Sequence, residues 1–445
     1  MGKRLFGTDG IRGVAGVPPL DANTVTALGI ALGDDLRQHG LAANPVFIGM
    51  DTRESGPLIA AQLAAGLGQR GVAVEFAGVV TTPGVAYLTR TGGFAAGVMI
   101  SASHNPFADN GIKVFARTGY KLPDAEEHDI EEEIFGILPD VKVSSAPALA
   151  RTFDVRPYLD FLLSTLSTRL AGCRLVIDCG NGAASALAPQ LFREAGAAVT
   201  AICNEPNGRN INLDCGALHV EKLRKAVLES GASAGIAFDG DADRAMMISP
   251  TGHLVDGDAM MLIAARRLQA DGELAGNVVI STVMSNLGLE KALGRLGIEM
   301  VRTPVGDKYV LEEMIRRDAK LGGEQSGHVI FRDYATTGDG MLTALRILET
   351  CARQNATLDQ LSADLTVYPQ LLVNIRVRER KPLEQLPRVQ DEIRACESAL
   401  DGSGRVLVRF SGTEPLARVM VEGPDLAQVK TWAERIAAAI RRELA

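Results

Sequence analysis

The chain has 445 residues, which is more than one hydrophobic core holds and enough for about four ordinary domains. Hydrophobic residues make up 46% of it and charged residues 22%, the composition of a soluble globular protein. Its 46 Lys and Arg against 54 Asp and Glu give a formal net charge of −8. That balance excludes a polyanion-binding surface spread over the molecule, because nucleic-acid affinity depends on many Lys and Arg contacts to phosphate. A small anionic ligand fits only where basic side chains and backbone amides cluster.

The sequence carries no signal for export or membrane insertion. Residues 1–6 lack an apolar core of secretory length, and no uncharged apolar run approaches the roughly 18 residues that span a bilayer. The six cysteines contain no CxxC pair, so we expect small buried thiols in a reducing compartment. We therefore predict a cytoplasmic protein with neither nucleic-acid nor membrane partners.

Helical and strand patterns alternate along the first part of the chain. Leu28, Leu32 and Leu36 recur every four residues and predict one face of a helix. A second helix is predicted at 59–69, and strands at 45–50, 72–76 and 95–100. This alternation is typical of a mostly parallel α/β sheet.

The same alternation begins again twice. Strands are predicted at 174–178, 198–202 and 234–238, and then at 277–281 and 299–302 with helices at 287–296 and 308–317. These patterns predict three α/β modules. No residue-level repeat is strong enough to prove that they arose by duplication.

The last part of the chain has a different pattern. Strands are predicted at 371–377, 405–409 and 418–422, and helices at 383–400 and 426–444. Adjacent strands with helices to one side predict a small α+β domain. The predicted boundaries are therefore 1–148, 149–253, 254–366 and 367–445, and ligand sites in such assemblies favour the clefts between domains.

The strongest chemical signal is Asp239-Gly240-Asp241-Ala242-Asp243-Arg244, which directly follows a predicted strand. Three carboxylates at alternate positions of a tight loop can converge on one divalent cation, and oxygen ligands suit Mg²⁺ or Ca²⁺ rather than zinc. An EF-hand is excluded, since its glycine at position 6 would be Arg244 and its glutamate at position 12 would be Pro250. The remaining alternative is a solvated acidic turn.

A second motif, Ile100-Ser101-Ala102-Ser103-His104-Asn105-Pro106, ends another predicted strand, and Lys113 follows it. A serine at such a position is placed to be a nucleophile, and a nearby lysine can neutralise phosphate. Acyl transfer would need a Gly-x-Ser-x-Gly elbow, which neither serine has. A plain turn stabilised by Ser, Asn and Pro stays open.

Two further motifs are suited to a phosphorylated sugar. Arg409-Phe410-Ser411-Gly412-Thr413-Glu414-Pro415 with Arg418 offers two guanidinium groups, two hydroxyls and a glycine turn, which together can hold a phosphate. Gly323-Glu324-Gln325-Ser326-Gly327-His328 places an acceptor two residues from a hydroxyl, which suits adjacent sugar hydroxyls. His328 is either a general base or a structural histidine.

Together the four motifs resemble those of the α-D-phosphohexomutase superfamily, one from each domain in chain order, over essentially all 445 residues. The resemblance implies three similar mixed α/β sandwich domains and a small α+β C-terminal domain around a central cleft. It also implies an isomerase that moves a phosphoryl group within a hexose phosphate. The opening Phe6-Gly7-Thr8-Asp9-Gly10-Ile11-Arg12-Gly13 and the loops at Ser103 and Glu324 are most similar to members that convert glucosamine 6-phosphate to glucosamine 1-phosphate for UDP-N-acetylglucosamine and cell-wall precursors.

The resemblance also implies residue roles. The residues it assigns are Ser103 as phosphoserine and metal ligand; Asp239, Asp241 and Asp243 as the other Mg²⁺ ligands; Glu324 and Ser326 as readers of sugar hydroxyls; Arg409, Ser411, Gly412, Thr413 and Arg418 as the clamp for the phosphate that is not transferred; and Arg12, His104, Lys113 and His328 around the transferred group. The implied reaction intermediate is glucosamine 1,6-bisphosphate, and a homodimer is left open.

One residue departs from the family pattern, and two other functions remain open. Ala242 replaces the second glycine of the commoner Asp-Gly-Asp-Gly-Asp-Arg loop. If that position needs a positive φ, the alanine costs about 1 kcal/mol, which leaves metal binding intact.

The alternatives are a phosphomannomutase/phosphoglucomutase and a non-catalytic sugar-phosphate sensor. The sensor is disfavoured because binding alone needs neither Ser103 nor the three aspartates.

Overall fold

The computed structural model describes residues 5–7, 9–143, 149–379, 381–410 and 415–444. The first sheet contains β1 (Phe6–Gly7), β2 (Gly10–Val14), β3 (Val46–Met50), β4 (Val74–Val79), β5 (Ala96–Ile100) and β6 (Asp109–Ala116). Its strand order is β1-β2-β6-β5-β3-β4. The accompanying helices are α1 (Ala22–Gln38), α2 (Gly56–Gln69), α3 (Thr82–Thr91) and α4 (Asp124–Ile137).

Two helices of this first region, α1 and α3, begin at side-chain caps. Asp21 accepts hydrogen bonds from the N–H groups of Asn23 and Thr24 and so starts α1, and Thr81 does the same for Gly84 at the start of α3. The apolar face of α1, with Leu28, Leu32 and Leu36, is buried in the core beneath the sheet, as the four-residue spacing predicts.

The second sheet contains β7 (Arg174–Asp178), β8 (Ala198–Ile202), β9 (Ala234–Phe238), β10 (Ala245–Ile248) and β11 (Leu254–Val255) in the order β11-β10-β9-β7-β8. Its helices are α5 (Arg156–Ser164), α6 (Ala184–Glu194) and α7 (Glu221–Ser230). β9 is buried at every residue, so the loop that follows it starts from inside the protein.

The third sheet contains β12 (Val278–Thr282), β13 (Glu299–Thr303), β14 (Leu321–Gly323) and β15 (Val329–Phe331) in the order β13-β12-β14-β15. The helices of this part of the chain are α8 (Gly257–Ala270), α9 (Leu287–Arg295), α10 (Asp307–Arg316), α11 (Gly340–Gln354) and α12 (Leu358–Ser362).

The fourth sheet contains β16 (Gln370–Arg376), β17 (Arg405–Phe410) and β18 (Leu416–Glu422) in the antiparallel order β16-β18-β17. It packs against α13 (Pro387–Leu400) and α14 (Leu426–Leu444). The predicted helix from 383 begins instead as a short 3₁₀ turn, and α13 starts at Pro387, whose missing N–H is tolerated only in a first helical turn.

The first three sheets share one connectivity, and it differs from the mostly parallel sheet expected from the first part of the chain. In each sheet, three strands that follow one another along the chain lie side by side, and the first of them (β3, β7 or β12) is in the middle. The next strand along the chain (β6, β10 or β15) pairs antiparallel with the third of them (β5, β9 or β14). In the first sheet only β5-β3 and β3-β4 are parallel, because the short turns after β1 and β5 force antiparallel pairing. The sheets are therefore mixed, as the family resemblance implies.

The contacts within the chain divide it into two compact units. The first comprises residues 1–283 and 300–363, and the second residues 284–299 and 364–445. The second unit thus takes up α9 together with the C-terminal sheet. The four boundaries predicted from the sequence remain a prediction. Among the described residues, no helix is both long and apolar enough to cross a membrane.

Candidate active site

Three loops that occupy the same position in successive sheets carry the chemistry of the first unit. Each connects the third strand of its sheet to the antiparallel fourth: β5 to β6, β9 to β10, and β14 to β15. The first holds Ser103, the second the three aspartates, and the third Glu324. The repeated connectivity therefore gives each sheet one functional loop at an equivalent place.

The Ser103 loop is held in an uncommon backbone conformation. Ser103 has a φ of 51°, in the left-handed region that non-glycine residues rarely adopt, and it is fully buried. Its N–H donates to Ser101 Oγ at 2.9 Å, and Ser101 Oγ donates to Asp51 Oδ2 at 2.5 Å. Strain of this kind persists only where the surroundings fix it, and it is concentrated at functional sites.

Two side chains hold the carbonyl groups of this loop. Arg53, buried and ion-paired with Asp51, donates to the carbonyl oxygens of Ser103 (3.2 Å) and Asn105 (2.6 Å). Asn212 Nδ2 donates to the same two oxygens at 2.9 and 3.2 Å. The Ser103 loop is thus positioned both by its own sheet and by the loop that follows β8.

The aspartate loop meets Ser103 directly. Ser103 Oγ donates to Asp239 Oδ2 at 2.6 Å, and one oxygen from each of Asp239, Asp241 and Asp243 lies within 4.8 Å of the others. All three aspartates are buried. A Cβ at Gly240 would lie 2.4 Å from the carbonyl oxygen of Ser103, so this close approach of the two loops requires a glycine.

The triad has the properties of a site for a hard divalent cation. Oδ1 of Asp241 and Oδ1 of Asp243 are buried and have no hydrogen-bond partner within the described part of the chain. Burial and the charges of the two neighbouring carboxylates raise the pKa of Asp239 well above its usual value. The negative charges of the triad therefore oppose ionisation of Asp239, which a bound cation would favour, and the all-oxygen ligands suit Mg²⁺ or Ca²⁺.

Lys113 lies against the aspartate triad, and Arg12 lies close by. Lys113 Nζ lies 2.9 Å from Asp241 Oδ2, 3.4 Å from Asp243 Oδ2 and 3.1 Å from Asp9 Oδ2. Burial opposes the charge of Lys113, but the carboxylates outweigh it and hold its pKa well above the usual value. Arg12 is ion-paired with the same Asp9, so Asp9 connects the two cations.

The two histidines of the site have opposite protonation preferences. Burial, with the charges of Arg244 and Arg12, lowers the pKa of His104 to about 4. Burial also opposes a charge on His328, but its hydrogen bond with Asp243 and the nearby carboxylates outweigh burial and raise its pKa. His104 Nδ1 lies 3.4 Å from Ser103 Oγ, and His328 Nδ1 lies 3.7 Å from Asp243 Oδ2.

The third loop presents a half-buried carboxylate and hydroxyl. Ser326 Oγ donates to Glu324 Oε2 at 3.2 Å, and the N–H of Gly306 donates to Glu324 Oε1 at 3.1 Å. The loop is fixed to the second sheet, since the N–H of Ala245 donates to the carbonyl of Gly327 at 3.1 Å. Glu324 and Ser326 are therefore held in place and remain partly accessible.

The fourth predicted loop belongs to the second unit. Arg409 and Arg418 are directly opposite each other on the antiparallel pair β17-β18, and both are half-buried. Burial and the charge of Arg418 lower the pKa of Arg409, which favours an anion between the two guanidinium groups. Ser411, Gly412 and Thr413 lie outside the described residues.

Family models for all four domains of phosphoglucomutase/phosphomannomutase match the chain. They cover residues 3–139 (alpha/beta/alpha domain I), 156–252 (domain II), 256–368 (domain III) and 372–439 (C-terminal domain). A curated relative from Solibacter usitatus, named phosphoglucosamine mutase, is 62% identical over all of both chains. The chain belongs to the phosphoglucosamine mutase family.

Solved structures of phosphohexomutases have the same fold. A phosphoglucomutase/phosphomannomutase family protein from Burkholderia thailandensis is 25% identical, with a TM-score of 0.78 over 98% of this chain and 97% of that one. An Aspergillus fumigatus N-acetylphosphoglucosamine mutase, solved with GlcNAc-6P and magnesium, is 18% identical with a TM-score of 0.64 over 99% and 96%. The second likeness concerns the fold alone.

Sequence reasoning missed the residues that hold the phosphohexomutase loops in place. Asp51 and Arg53 directly follow β3, at the carboxyl end of a parallel strand where functional groups gather, so their position was a usable signal. Thr82, whose Oγ1 donates to Asp241 Oδ2 at 2.5 Å, begins a helix that the periodicity did not reveal. Asn212 lies in an irregular loop, and no sequence pattern indicates its contact with Ser103.

Proposed function

We propose that the chain interconverts glucosamine 6-phosphate and glucosamine 1-phosphate through a phosphoryl group carried on Ser103. The observation that carries the proposal is the 2.6 Å contact of Ser103 Oγ with Asp239 in a buried triad whose other carboxylates have unpartnered oxygens. The substrate is supported by the name of the relative that is 62% identical over its full length. The product would supply UDP-N-acetylglucosamine and cell-wall precursor synthesis in the cytoplasm.

Ser103 acts in this proposal as donor and then as acceptor. The bond from Ser103 Oγ to phosphorus breaks as a sugar hydroxyl oxygen forms its own bond to phosphorus, which yields glucosamine 1,6-bisphosphate and transfers the hydroxyl proton to a base. The bisphosphate then turns end over end. Ser103 Oγ takes back the other phosphoryl group, so the enzyme ends as it began and the sugar phosphate has changed position.

The surrounding side chains have separate tasks. Lys113, Arg12 and the neutral His104 orient the transferring phosphoryl group, and Glu324 and Ser326 bind sugar hydroxyls. Asp239, Asp241 and Asp243 would hold a Mg²⁺ together with an oxygen of the Ser103 phosphate, and that cation would neutralise charge on the phosphoryl oxygens. Arg409 and Arg418, with Ser411, Gly412 and Thr413, bind the phosphate that is not transferred.

His328 is assigned to the orientation of the metal loop as well as to the surroundings of the transferred group. Its ring faces Asp243, and the N–H of Gly338 donates to its Nε2 at 3.0 Å. In the neutral ring, that hydrogen bond favours the tautomer with its proton on Nδ1, directed at Asp243. A histidine held on both sides in this way positions the carboxylate next to it.

The substrate assignment is tested by comparing three hexose phosphates. The purified chain is incubated with glucosamine 6-phosphate, mannose 6-phosphate or glucose 6-phosphate, each with Mg²⁺ and a trace of the matching bisphosphate. We expect the largest kcat/KM with glucosamine 6-phosphate. A preference for mannose or glucose phosphate would assign the chain to the phosphomannomutase/phosphoglucomutase alternative instead.

The role of Ser103 is tested by Ser103→Ala. Because the side chain donates one hydrogen bond and the loop is held by its backbone, we expect normal folding and a fall in turnover of about 10³-fold or more. Ser249→Ala removes another buried serine hydroxyl, at the end of β10, and is the matched control. Wild-type rates in Ser103→Ala would exclude the phosphoserine.

A further inference from the structure

Two cysteines bracket the loop that holds the Ser103 loop from the side of the second sheet. Cys203 directly follows β8, and Cys215 closes the segment twelve residues later. Their sulfur atoms and a carboxylate oxygen of Asp178 all lie within 4.8 Å of one another. All six cysteines of the chain are free thiols.

The segment between the two cysteines makes contact with the proposed phosphoserine loop. Asn212, with its bonds to the carbonyls of Ser103 and Asn105, lies three residues before Cys215. Near the middle of the segment, the carbonyl of Gly208 accepts a hydrogen bond of 3.0 Å from the N–H of Glu54, the residue next to Arg53. Cys203 and Asn212 have φ values of 48° and 57°, so the backbone of this segment is held in a strained form.

The two thiols differ in the way that attacking and resolving thiols differ. Cys203 is half-buried, whereas Cys215 is 1% exposed. A hydrogen bond from the Cys215 thiol lowers the pKa of Cys203, and the charge of Lys222 lowers it further. Burial and the charge of Asp178 act in the opposite direction but are outweighed. Each of the other five cysteines has a raised pKa, mainly through burial or, for Cys215, through its bond to Cys203. Because Cys203 is the more accessible thiol of the pair, we expect it to react first with an oxidant.

We propose that Cys203 and Cys215 form a reversible disulfide on oxidation by a peroxide, and that this disulfide slows turnover by displacing the Asn212 segment from the Ser103 loop. Cys203 Sγ attacks one oxygen of hydrogen peroxide, the O–O bond breaks and hydroxide leaves, which gives a sulfenic acid. Cys215 Sγ then attacks the Cys203 sulfur and water leaves. The two sulfurs lose two electrons in all, and the peroxide is reduced to two waters.

The geometry explains why such a bond would affect the site. A disulfide requires a sulfur–sulfur distance of about 2.05 Å, which draws the two ends of the segment together. Asp178 accepts hydrogen bonds from the N–H groups of Gly180 and Gly216, so the backbone beside Cys215 is anchored. The segment between the cysteines is itself bonded to residues 180 and 181, since the N–H of Asn212 donates to the carbonyl of Gly180 at 2.8 Å and the carbonyl of Cys203 accepts from Asn181 at 2.6 Å, so closing the disulfide would strain these bonds. That segment carries Asn212. Only the turnover readout of this inference rests on the proposed function.

The test treats the reduced protein, with Mg²⁺ present, with hydrogen peroxide, blocks the remaining thiols and maps peptides without reduction. We expect a Cys203–Cys215 linked peptide, a fall in kcat of about fivefold to tenfold, and recovery with dithiothreitol. Hydrogen–deuterium exchange in residues 101–107 should rise in the oxidised form, and this readout is independent of any activity. Cys215→Ala should leave Cys203 as a sulfenic acid that dimedone traps.

Cys203→Ser supplies the decisive comparison, and Cys173→Ser is its matched control, because Cys173 is a half-buried thiol whose pKa is raised. Cys203→Ser should keep normal activity and resist peroxide, whereas Cys173→Ser should respond like the wild type. The proposal is overturned if no linked peptide forms, if kcat and exchange stay unchanged when it does, or if Cys203→Ser is inactivated equally. It is also overturned if the two sulfurs and Asp178 instead bind one Zn²⁺ per chain that protects both thiols.

Discussion

Ala242 is a residue at which the sequence and the backbone disagree. Ala242 is fully buried and has a φ of 55°. Because this φ is positive, the alanine carries the backbone strain expected for a non-glycine residue at this position. The backbone of Ala242 is nevertheless fixed at both of its polar groups. The N–H of Gly340 donates to the carbonyl of Ala242 at 3.0 Å, and the N–H of Ala242 donates to the backbone carbonyl of Asp239 at 3.1 Å.

Ala242→Gly should therefore stabilise the protein. Relief of the left-handed strain is worth about 1–2 kcal/mol, and the greater freedom of an unfolded glycine offsets about 0.4–1 kcal/mol of it. We expect a net gain of about 0.5–1 kcal/mol in the free energy of unfolding, measured by urea denaturation, with unchanged Mg²⁺ affinity. A loss of stability would show that the methyl group packs favourably enough to outweigh the strain.

The pKa values of the two histidines of the site should be shifted in opposite directions from the usual 6.5. In the chain freed of divalent cations and without phosphate on Ser103, His104 should keep a neutral ring down to about pH 4, whereas His328 should titrate above 6.5. For His104 the unfolded chain takes up a proton that the folded one excludes, so its contribution to stability is lost as the pH falls from 6.5 toward 4. For His328 the contribution is complete below 6.5 and is lost as the pH rises through the raised pKa.

Histidine side-chain NMR resolves this order directly. The chain has six histidines, and assignment by His104→Gln and His328→Gln identifies the two signals. If His104 titrated at a higher pH than His328, the electrostatic account of the site would be wrong.

Whether a site residue could be predicted from the sequence depends on how near it lies, along the chain, to the residues with which it acts. Asp239, Asp241 and Asp243 form their site within five residues, so their spacing alone predicts convergence, and the structure places them together. Arg53 and Asn212 act on Ser103 from positions fifty or more residues away, and only the folded chain brings them there. Single-sequence patterns carry no information on such contacts.

At the scale of elements, the strand pair β17-β18 places two residues that we assign to phosphate binding where they disfavour the sheet. Two arginines directly opposite each other repel, and cross-strand like charges destabilise a sheet. An anion bound between the two guanidinium groups would offset this repulsion.

Arg409→Gln should accordingly weaken phosphosugar binding without unfolding the second unit. Because a charge-assisted bond to phosphate contributes about 1.5–3 kcal/mol, we expect KM to rise about 10- to 100-fold with a smaller change in kcat. Arg394→Gln removes an exposed arginine of α13 that pairs with Asp391, and it serves as the control. An unchanged KM for Arg409→Gln would remove Arg409 from the phosphate clamp.

The elements themselves were predicted best where one face is apolar and the run is long. α14 begins and ends at the predicted residues, because its buried positions recur with helical spacing over nineteen residues. Short strands such as β14 and β15, three residues each, and capped helices such as α3 have too few periodic positions to be recognised. β14 and β15 flank the Glu324 loop, and α3 supplies the Thr82 contact with Asp241, so these parts of the site were harder to place than the core.

At the scale of the whole molecule, a buried carboxylate joins the second and third regions of the first unit. Glu349 on α11 is fully buried; its Oε2 accepts from Arg267 (2.6 Å) and Arg346 (3.1 Å), and its Oε1 from the N–H groups of Ser167 (2.5 Å) and Thr168 (3.0 Å). Burial disfavours its charge, but the bonds from Arg267 and Ser167 outweigh burial and lower its pKa.

Glu349→Gln should destabilise the first unit by about 3–5 kcal/mol at pH 7, because it leaves buried Arg346 without a counter-charge and leaves Arg267 only its contact with Asp271 at 3.4 Å. The lowered pKa means that this contribution is present above pH 4.5 and is lost as the pH falls through the lowered value, so the wild type and the variant should converge in acid. Glu229→Gln breaks an exposed pair with Lys225 and should change stability by about 0.5 kcal/mol or less. Equal effects of the two substitutions in denaturant unfolding would contradict the account.

Phosphopeptide mapping tests the central claim, that Ser103 carries the transferred phosphoryl group, most directly. The dephosphorylated chain is mixed with Mg²⁺ and glucosamine 1,6-bisphosphate carrying ³²P, and the labelled peptide is identified before and after a chase with unlabelled glucosamine 6-phosphate. The account predicts label on Ser103 that passes quantitatively into sugar bisphosphate during the chase. Label on another residue, or an active protein that never acquires label, would contradict it.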